Sequence, residues 1–186
     1  MTDVSDDDLI LMYRKGDADA FDALFDRYHA AVYRFARTML GNAAAAEGVL
    51  QETFLAVART ARRYEPRGRF RTWLMRIVRN RCLNRLESER ARRRMVQESG
   101  LVVEPASPGP SPAERAERNE EMRRVRVALA GLPERQREAL ALYAFEHLSY
   151  QEIAAVLGAP LNTVKTLIHR ARAGIAAAVE EKLDGV

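Results

Sequence analysis

Residues 148–172 have the sequence LSYQEIAAVLGAPLNTVKTLIHRAR, which predicts two helices joined by a tight turn. Ser149 and Glu152 form a capping-box pattern at the start of the first helix, because each side chain can satisfy a backbone donor that the helix leaves without a partner. Gly158 is expected to end this helix, and Asn162 can cap the one that follows. The pattern is therefore typical of a helix-turn-helix, a unit that often places its second helix in DNA.

The second of these helices is predicted to have two different faces. Apolar residues recur at the spacing of a buried stripe, at Val164, Ile168, Ala171 and Ile175. The residues predicted to face outward are Thr166, His169, Arg170 and Ala173. Between residues 161 and 173 there are three basic residues and no acid, so this face can approach phosphates and place side chains at base edges in the major groove. The alternative is a basic solvated face in an ordinary helical bundle.

The net charge of +4 conceals a strong asymmetry along the chain. Residues 1–26 contain eight Asp and two basic residues, a balance of −6, whereas residues 67–94 contain eleven Arg and two Glu, a balance of +9. Opposite charges in two parts of one chain predict one surface that repels polyanions and another that attracts them. The alternative for the Arg-rich segment is a solvated helix face.

The sequence also excludes several classes of protein. No stretch approaches the roughly 20 consecutive apolar residues of a membrane span, and the acidic N-terminus lacks the basic-then-apolar order of a secretion signal, so we expect a cytoplasmic protein that does not contact a membrane. A single cysteine, Cys82, excludes an internal disulfide and a zinc site of the CxxC type. The three histidines do not stand at ligand spacing with any partner. We therefore expect no metal and no cofactor.

The chain is predicted to divide into two helical segments around a linker. Four helices are expected in residues 1–94, of which the third runs to about Arg63 and the fourth begins near Phe70 and is increasingly basic. Residues 95–112 contain four of the seven prolines together with glycines and serines, a composition typical of a flexible linker. Residues 113–186 are expected to form four further helices. The predicted fold is all-α, with two small helical domains, the C-terminal one a helix-turn-helix.

Four strings in this order resemble one known family: QETF at 51–54, FRTWLMRIVRN at 70–80, LPERQRE at 132–138 and LSYQEIA at 148–154. They are similar to the small, two-domain extracytoplasmic-function (ECF) sigma factors of the bacterial sigma-70 family. The resemblance implies a protein without catalysis of its own that joins core RNA polymerase and directs it to promoter DNA. It assigns residues 1–94 to region 2, which binds the polymerase clamp and opens the minus-ten element. It assigns residues 113–186 to region 4, which binds the polymerase flap and reads the minus-thirty-five element.

The resemblance also implies roles for individual residues. Polymerase would be bound by polar positions of the third helix that lie off its apolar stripe, namely Glu47, Gln51 and Glu52. The minus-ten element would be met by the fourth helix and the loop before it, at Arg67, Arg69, Arg76, Arg79, Asn80 and Asn84. The minus-thirty-five element would be met by Asn162, Thr163, Lys165, Thr166, His169, Arg170 and Arg172. Amides flanked by cations suit an unstacked base, because amides can pair with its edge while guanidinium groups hold the strand.

Alternatives remain open at several of these positions. The polar residues of the third helix could be plain solvated surface. Trp73 could stack on a base, but packing in the core is the favoured role. Two positions depart from the family pattern: an acidic residue is usual where this chain has Gly48, and Arg is common where it has Leu167. The strength of the clamp contact and the promoter sequence therefore cannot be borrowed from relatives.

Partners and competing functions complete the expectations. An anti-sigma protein that holds the two domains closed is a family-level expectation, which a flexible linker permits. The main alternative function is a stand-alone helix-turn-helix regulator that binds an operator as a dimer. Such a regulator needs neither the QETF surface nor the Arg-rich helix, whereas a sigma factor needs both. An enzyme is the weakest alternative, because the sequence has no Gly-rich phosphate loop, no paired carboxylates and no nucleophile with a base beside it.

Overall fold

In the residues that the computed structural model describes, all the regular structure is helical, as the sequence predicts. The structure describes residues 4–98 and 120–180, and only the backbone of residues 120–124 and 179–180. The elements are α1 (Asp6–Arg14), α2 (Ala18–Leu40), α3 (Ala43–Thr60), a 3₁₀ turn (Ala61–Arg63), α4 (Phe70–Glu98), α5 (Glu120–Gly131), α6 (Glu134–Ala144), α7 (Tyr150–Leu157) and α8 (Leu161–Glu180). The residues of the predicted linker and C-terminal domain that fall between 99 and 119 lie outside this description. Because α4 continues to Glu98, the first four residues assigned to the linker are helical.

The helix ends follow from local chemistry. Side chains of Ser5, Asp17 and Asn42 accept from backbone N–H groups three residues on, and so begin α1, α2 and α3. The capping box of α7 is present as predicted: Ser149 Oγ accepts from the Glu152 N–H at 3.3 Å, and Glu152 Oε2 accepts from the Ser149 N–H at 2.8 Å. α7 then ends at Gly158 in the left-handed conformation, with φ of +60°.

The N-terminal half packs around α2, which contacts α1, α3 and α4. The fully buried side chains include Leu24, Val32, Phe35, Val57, Leu74, Met75 and Val78. The rings of Tyr64, Phe70 and Trp73 pack together at the start of α4, where the centroids of the Tyr64 and Trp73 rings are 4.9 Å apart. Trp73 is half-buried and packs against the core, so its indole has the structural role that the sequence favoured.

In the C-terminal half, α6 and α7 pack against α8, and α5 also contacts α8. The predicted stripe of α8 faces inward, since Val164, Ile168 and Ala171 are buried and Ile175 packs against a neighbouring cluster. The two halves also contact each other, because α2 packs against α5 and α6 while α4 packs against α7. Buried side chains of both halves form one contiguous apolar cluster. None of the helices in the described ranges is long and apolar enough to cross a membrane.

Candidate nucleic-acid interface

The outer face of α8 is basic and open to solvent. Lys165, Thr166, His169 and Arg170 are exposed, as predicted from the positions of the buried stripe. Neither Lys165 nor Arg170 forms an ion pair with any residue that the structure describes. Their cationic groups are therefore available to phosphate or to base edges.

Arg172 stands beside this face on an aromatic platform. Its guanidinium carbon lies 4.7 Å from the centroid of the Tyr143 ring, and that ring stacks on Tyr150 at 5.4 Å. A cation over a ring face is attracted to the ring electrons and keeps its outer N–H groups accessible. The platform joins α6 and α7 to α8, so it orients Arg172 at the edge of the exposed face.

The first turn of α8 differs from the prediction in one detail. The Val164 N–H donates to the Pro160 carbonyl at 3.1 Å, so α8 begins before Asn162 and not with Asn162 as its N-cap. Asn162 is exposed within the first turn, and its backbone carbonyl accepts a hydrogen bond from Thr166 Oγ1 at 2.9 Å. Thr163 beside it is half-buried. The prediction failed because the Pro160 carbonyl accepts the first helical hydrogen bond, which makes Pro160 the N-cap although its side chain cannot accept from a backbone N–H. The Asn162 side chain is left to face solvent.

Two of the predicted DNA-contacting arginines of α4 touch the C-terminal half. Arg76 Nη2 donates to the Ala155 carbonyl of α7 at 2.6 Å. Arg79 forms an ion pair with Glu138 of α6, with Nε and Oε1 at 3.1 Å. The Arg79 side chain is 15% exposed and that of Glu138 is 1% exposed. Burial raises the pKa of the Glu138 carboxyl, and Arg79 opposes this shift.

The two asparagines of α4 are both exposed, four residues apart on the helix. Asn80 lies on the solvent side of the helix. Asn84 lines a groove between α3 and α4, together with Glu52, Arg81 and Arg85. Asn84, a predicted DNA contact, and Glu52, a predicted polymerase contact, therefore line the same groove. The Cys82 thiol nearby is fully buried, and burial raises its pKa to about 12, so it stays protonated and inert.

The loop of residues 64–69 carries the other predicted minus-ten contacts. Arg67 and Arg69 are exposed, and Arg67 pairs with Glu65 at 2.6 Å, both side chains being 71% exposed. Such a pair is weak in solvent and leaves the guanidinium available. Gly68 has φ of +65°, a conformation that side chains disfavour. Its N–H donates to Asp7 Oδ2 at 2.5 Å, a contact that the sequence did not suggest.

The predicted polymerase surface is an exposed stripe of α3. Glu47, Gln51 and Glu52 are all exposed, and Glu52 pairs with Arg81 at 3.1 Å. Leu55 joins Glu47 and Gln51 at intervals of four residues, and it is 55% exposed. Sequence reasoning missed Leu55, although an apolar residue off the buried stripe of a helix was a signal that could have found it.

The contacts between the halves were also missed. Arg34 Nε donates to Glu146 Oε1 at 3.0 Å, and Arg71 donates to the Glu146 carbonyl. Arg90 Nη2 lies 2.6 Å from Glu134 Oε2. Burial raises the pKa of the Glu146 carboxyl, while Arg34 lowers it. The pairing of arginines on α2 and α4 with acids after residue 130 depends on tertiary contact, so the sequence alone could not assign it.

Two family descriptions match the chain in the order of its two halves. Residues 24–92 match Sigma-70 region 2, and residues 122–174 match Sigma-70, region 4. The ECF RNA polymerase sigma factor SigW of Bacillus subtilis is 30% identical over 88% of this chain and 90% of its own length. The sigma factor CarQ of Myxococcus xanthus is 35% identical over 85% and 88%. The sigma-H factor of Pseudomonas aeruginosa is 32% identical over 98% of each chain.

Solved structures agree with this assignment. The structure of CnrH in complex with the cytosolic domain of CnrY matches with a TM-score of 0.72 and 28% identity, over 95% of this chain and 97% of that one. The sigma factor RpoE of Bartonella quintana, in complex with the anti-sigma factor NepR, matches with a TM-score of 0.69 and 25% identity, over 86% and 96%.

The two region matches and the whole-length relatives define a promoter-specificity subunit of RNA polymerase. The chain belongs to the ECF group of the sigma-70 family. It is a sigma factor that binds core RNA polymerase and directs it to specific promoters, where transcription begins. The presence of region 2 favours this function over a stand-alone helix-turn-helix regulator.

Proposed function

We propose that the two halves divide promoter recognition, with α8 reading the minus-thirty-five element and α4 with loop 64–69 meeting the melted minus-ten element. The observation that carries this division is the outer face of α8, where Lys165 and Arg170 are exposed and have no acidic partner in the described parts of the chain. The polymerase supplies the chemistry, so the sigma factor itself needs no catalytic group. It works in the cytoplasm, where the polymerase is.

The division is tested by transcription with purified core polymerase on a promoter recovered from a genomic fragment library. Lys165→Ala should reduce initiation and lose its effect when the upstream element is deleted, because a phosphate contact there acts only through that element. Lys15→Ala removes the same charge from the exposed end of α1 and should leave initiation unchanged. Equal loss of initiation on templates with and without the upstream element would refute the assignment of α8.

The exposed stripe of Glu47, Gln51 and Leu55 on α3 is proposed to bind the polymerase clamp. An exposed leucine alone needs no explanation, but this one lies on the same face as the two polar residues that the family resemblance assigns to that contact. Leu55→Asp should lower affinity for core polymerase without changing binding of the sigma factor to DNA. Met95→Asp, which changes a side chain 70% exposed at the end of α4, is the matched control. Unchanged core affinity in Leu55→Asp would remove Leu55 from the surface.

We also propose that an anti-sigma protein binds this chain while its halves are in contact. Support comes from the solved relatives, one of which is a complex with an anti-sigma factor, and from the ion pairs that already join the halves here. A partner bound in this way leaves Arg79 on Glu138 and so keeps α4 from DNA. When the chain is co-purified with its anti-sigma partner and the complex is crosslinked, the peptide that contains Arg79 should be joined to the peptide that contains Glu138. Crosslinks found only within each half would contradict the proposal.

A further inference from the structure

Loop 64–69 is held from one side by the N-terminal helix α1. Both carboxylate oxygens of Asp7 are used: Oδ1 accepts from the Tyr64 hydroxyl at 2.6 Å, and Oδ2 accepts from the Gly68 N–H at 2.5 Å. Asp7 therefore joins the first residue of the loop to its next-to-last one. A single side chain thus fixes the distance between the two ends of the loop.

Two of the parts that this bridge connects, Tyr64 and α1, are held by further contacts. Tyr64 is buried, with its ring in contact with Phe70 and Trp73, and its carbonyl accepts from Arg14 Nη1 at 3.3 Å. On the other side, Asp6 accepts from Tyr28 and pairs with Arg27, which ties α1 to α2. Burial and the contact with Asp7 raise the pKa of Tyr64, so its hydroxyl remains a donor. Tyr64 and α1, which Asp7 connects, are thus each held by the core of the N-terminal half.

Electrostatics argue that Asp7 positions the loop and does not contact DNA. A carboxylate beside a loop that carries Arg67 and Arg69 repels phosphate, and its lone pairs already accept two hydrogen bonds. The same bonds hold Gly68 at a φ of +65° and leave both arginines exposed. A loop ordered in advance does not lose that conformational freedom when it binds.

We propose that Asp7 is a positioning residue for promoter melting, which holds loop 64–69 in the conformation that receives an unstacked base of the minus-ten element. This inference rests on the proposed assignment of that loop to the minus-ten element. It adds α1, a helix before the matched region 2 segment of residues 24–92, to the parts of the chain that determine promoter opening.

The test measures opening of a recovered promoter by holoenzyme, with permanganate reactivity of minus-ten thymines as the signal. Asp7→Asn keeps the shape of the side chain but places its amide group against the Tyr64 hydroxyl or the Gly68 N–H. We expect opening to slow about tenfold, because one charge-assisted hydrogen bond that holds the loop is lost. Asp8→Asn removes the same charge from the same helix turn, where the Asp8 carboxylate hydrogen-bonds only to Ser5 among the described residues. We expect it to open the promoter at the wild-type rate.

Three further measurements separate positioning from a purely structural role. Affinity for core polymerase, binding to duplex carrying only the upstream element, and the melting temperature should stay at their wild-type values in Asp7→Asn. Tyr64→Phe should slow opening less, and the double variant should be no slower than Asp7→Asn, because both changes break one network. Wild-type opening by Asp7→Asn, or a parallel fall of all these quantities, would overturn the inference.

Variants of the loop arginines test the minus-ten role of loop 64–69 separately from the positioning role of Asp7. If Arg67→Ala and Arg69→Ala slow opening while Asp7→Asn does not, the loop keeps its minus-ten role and only the positioning role of Asp7 fails. If neither arginine variant slows opening, the assignment of the loop is wrong and the inference falls with it.

Discussion

The two basic helices of this sigma factor use their charge differently. On α8, Lys165 and Arg170 are exposed, and no acid of the described chain pairs with them. On α4, four arginines contact the C-terminal half through carboxylates or backbone carbonyls, namely Arg71, Arg76, Arg79 and Arg90. The outer face of α8 is therefore open to solvent, while α4 shares its cations with the C-terminal half of its own chain.

The difference has a physical origin in where the acids lie. The sequence from 161 to 173 has no acid, whereas α6 carries Glu134 and Glu138 four residues apart, each paired with an arginine of α4. Guanidinium groups bind carboxylate, carbonyl and phosphate oxygens with similar geometry. If α4 meets the melted strand as proposed, Arg76 and Arg79 must leave Ala155 and Glu138 first. The proposed binding at α4 would then be coupled to the contact between the halves, whereas the proposed binding at α8 would not.

The largest expected difference is in folding stability, when one arginine is removed from α4 and, in a separate variant, one from α8. Arg79→Ala leaves Glu138 buried without its counter-ion, so we expect a loss of about 3 kcal/mol in the free energy of unfolding. Arg170→Ala, on the open face, should change it by no more than about 0.5 kcal/mol. Urea denaturation of both variants measures the difference. Equal and small losses would mean that the contact between the halves is not maintained in solution.

Arg170→Ala should act on promoter binding instead of folding. If Arg170 reads a base, the loss is expected to be about 1 to 3 kcal/mol in binding free energy, confined to the upstream element. Competition binding with holoenzyme and promoters altered at one position at a time measures both the loss and the position. Unchanged promoter selection would remove Arg170 from the recognition face.

The pattern of the sequence predicted α7 and α8 well, because their information is local. The capping box of Ser149 and the buried stripe through Val164 and Ile168 depend only on residues within a few turns. Partners of the α4 arginines could not be predicted, since Glu138 lies 59 residues from Arg79 along the chain. For the same reason the Arg-rich segment, which the sequence predicts to attract polyanions, includes cations that pair within the protein. Roles of the individual site residues remain predictions.

A third effect concerns pH and the acid at the contact between the halves. Burial raises the pKa of Glu138 above its ordinary 4.5; Glu134 acts in the same direction, and Arg79 and Arg135 oppose it. A raised pKa in the folded state stabilises the fold fully below pH 4.5, and this contribution is lost as pH rises through the folded value. Glu138→Gln should therefore flatten the decline of stability above pH 4.5.

Urea titrations at several pH values measure this decline. The control is Glu47→Gln, on the exposed face of α3, which should retain the wild-type pH profile. A steeper decline in Glu138→Gln than in wild type would contradict the direction of the shift.

The smallest expected difference is in folding stability, when one glycine in each half is replaced by alanine. A Cβ at Gly48 of α3 would lie 3.1 Å from Arg85 Nη1, the far end of a flexible side chain, so Gly48→Ala should raise the free energy of unfolding by about 0.5 to 1 kcal/mol through helix propensity. A Cβ at Gly174 of α8 would lie 2.9 Å from Leu132 Cδ2, in the small apolar cluster where α5 and α6 meet α8. Gly174→Ala should gain less or lose stability, because overpacking opposes the same propensity. Thermal melts of both variants measure the difference. An equal gain at both positions would show that Leu132 moves aside for the added methyl group and that the site is not overpacked.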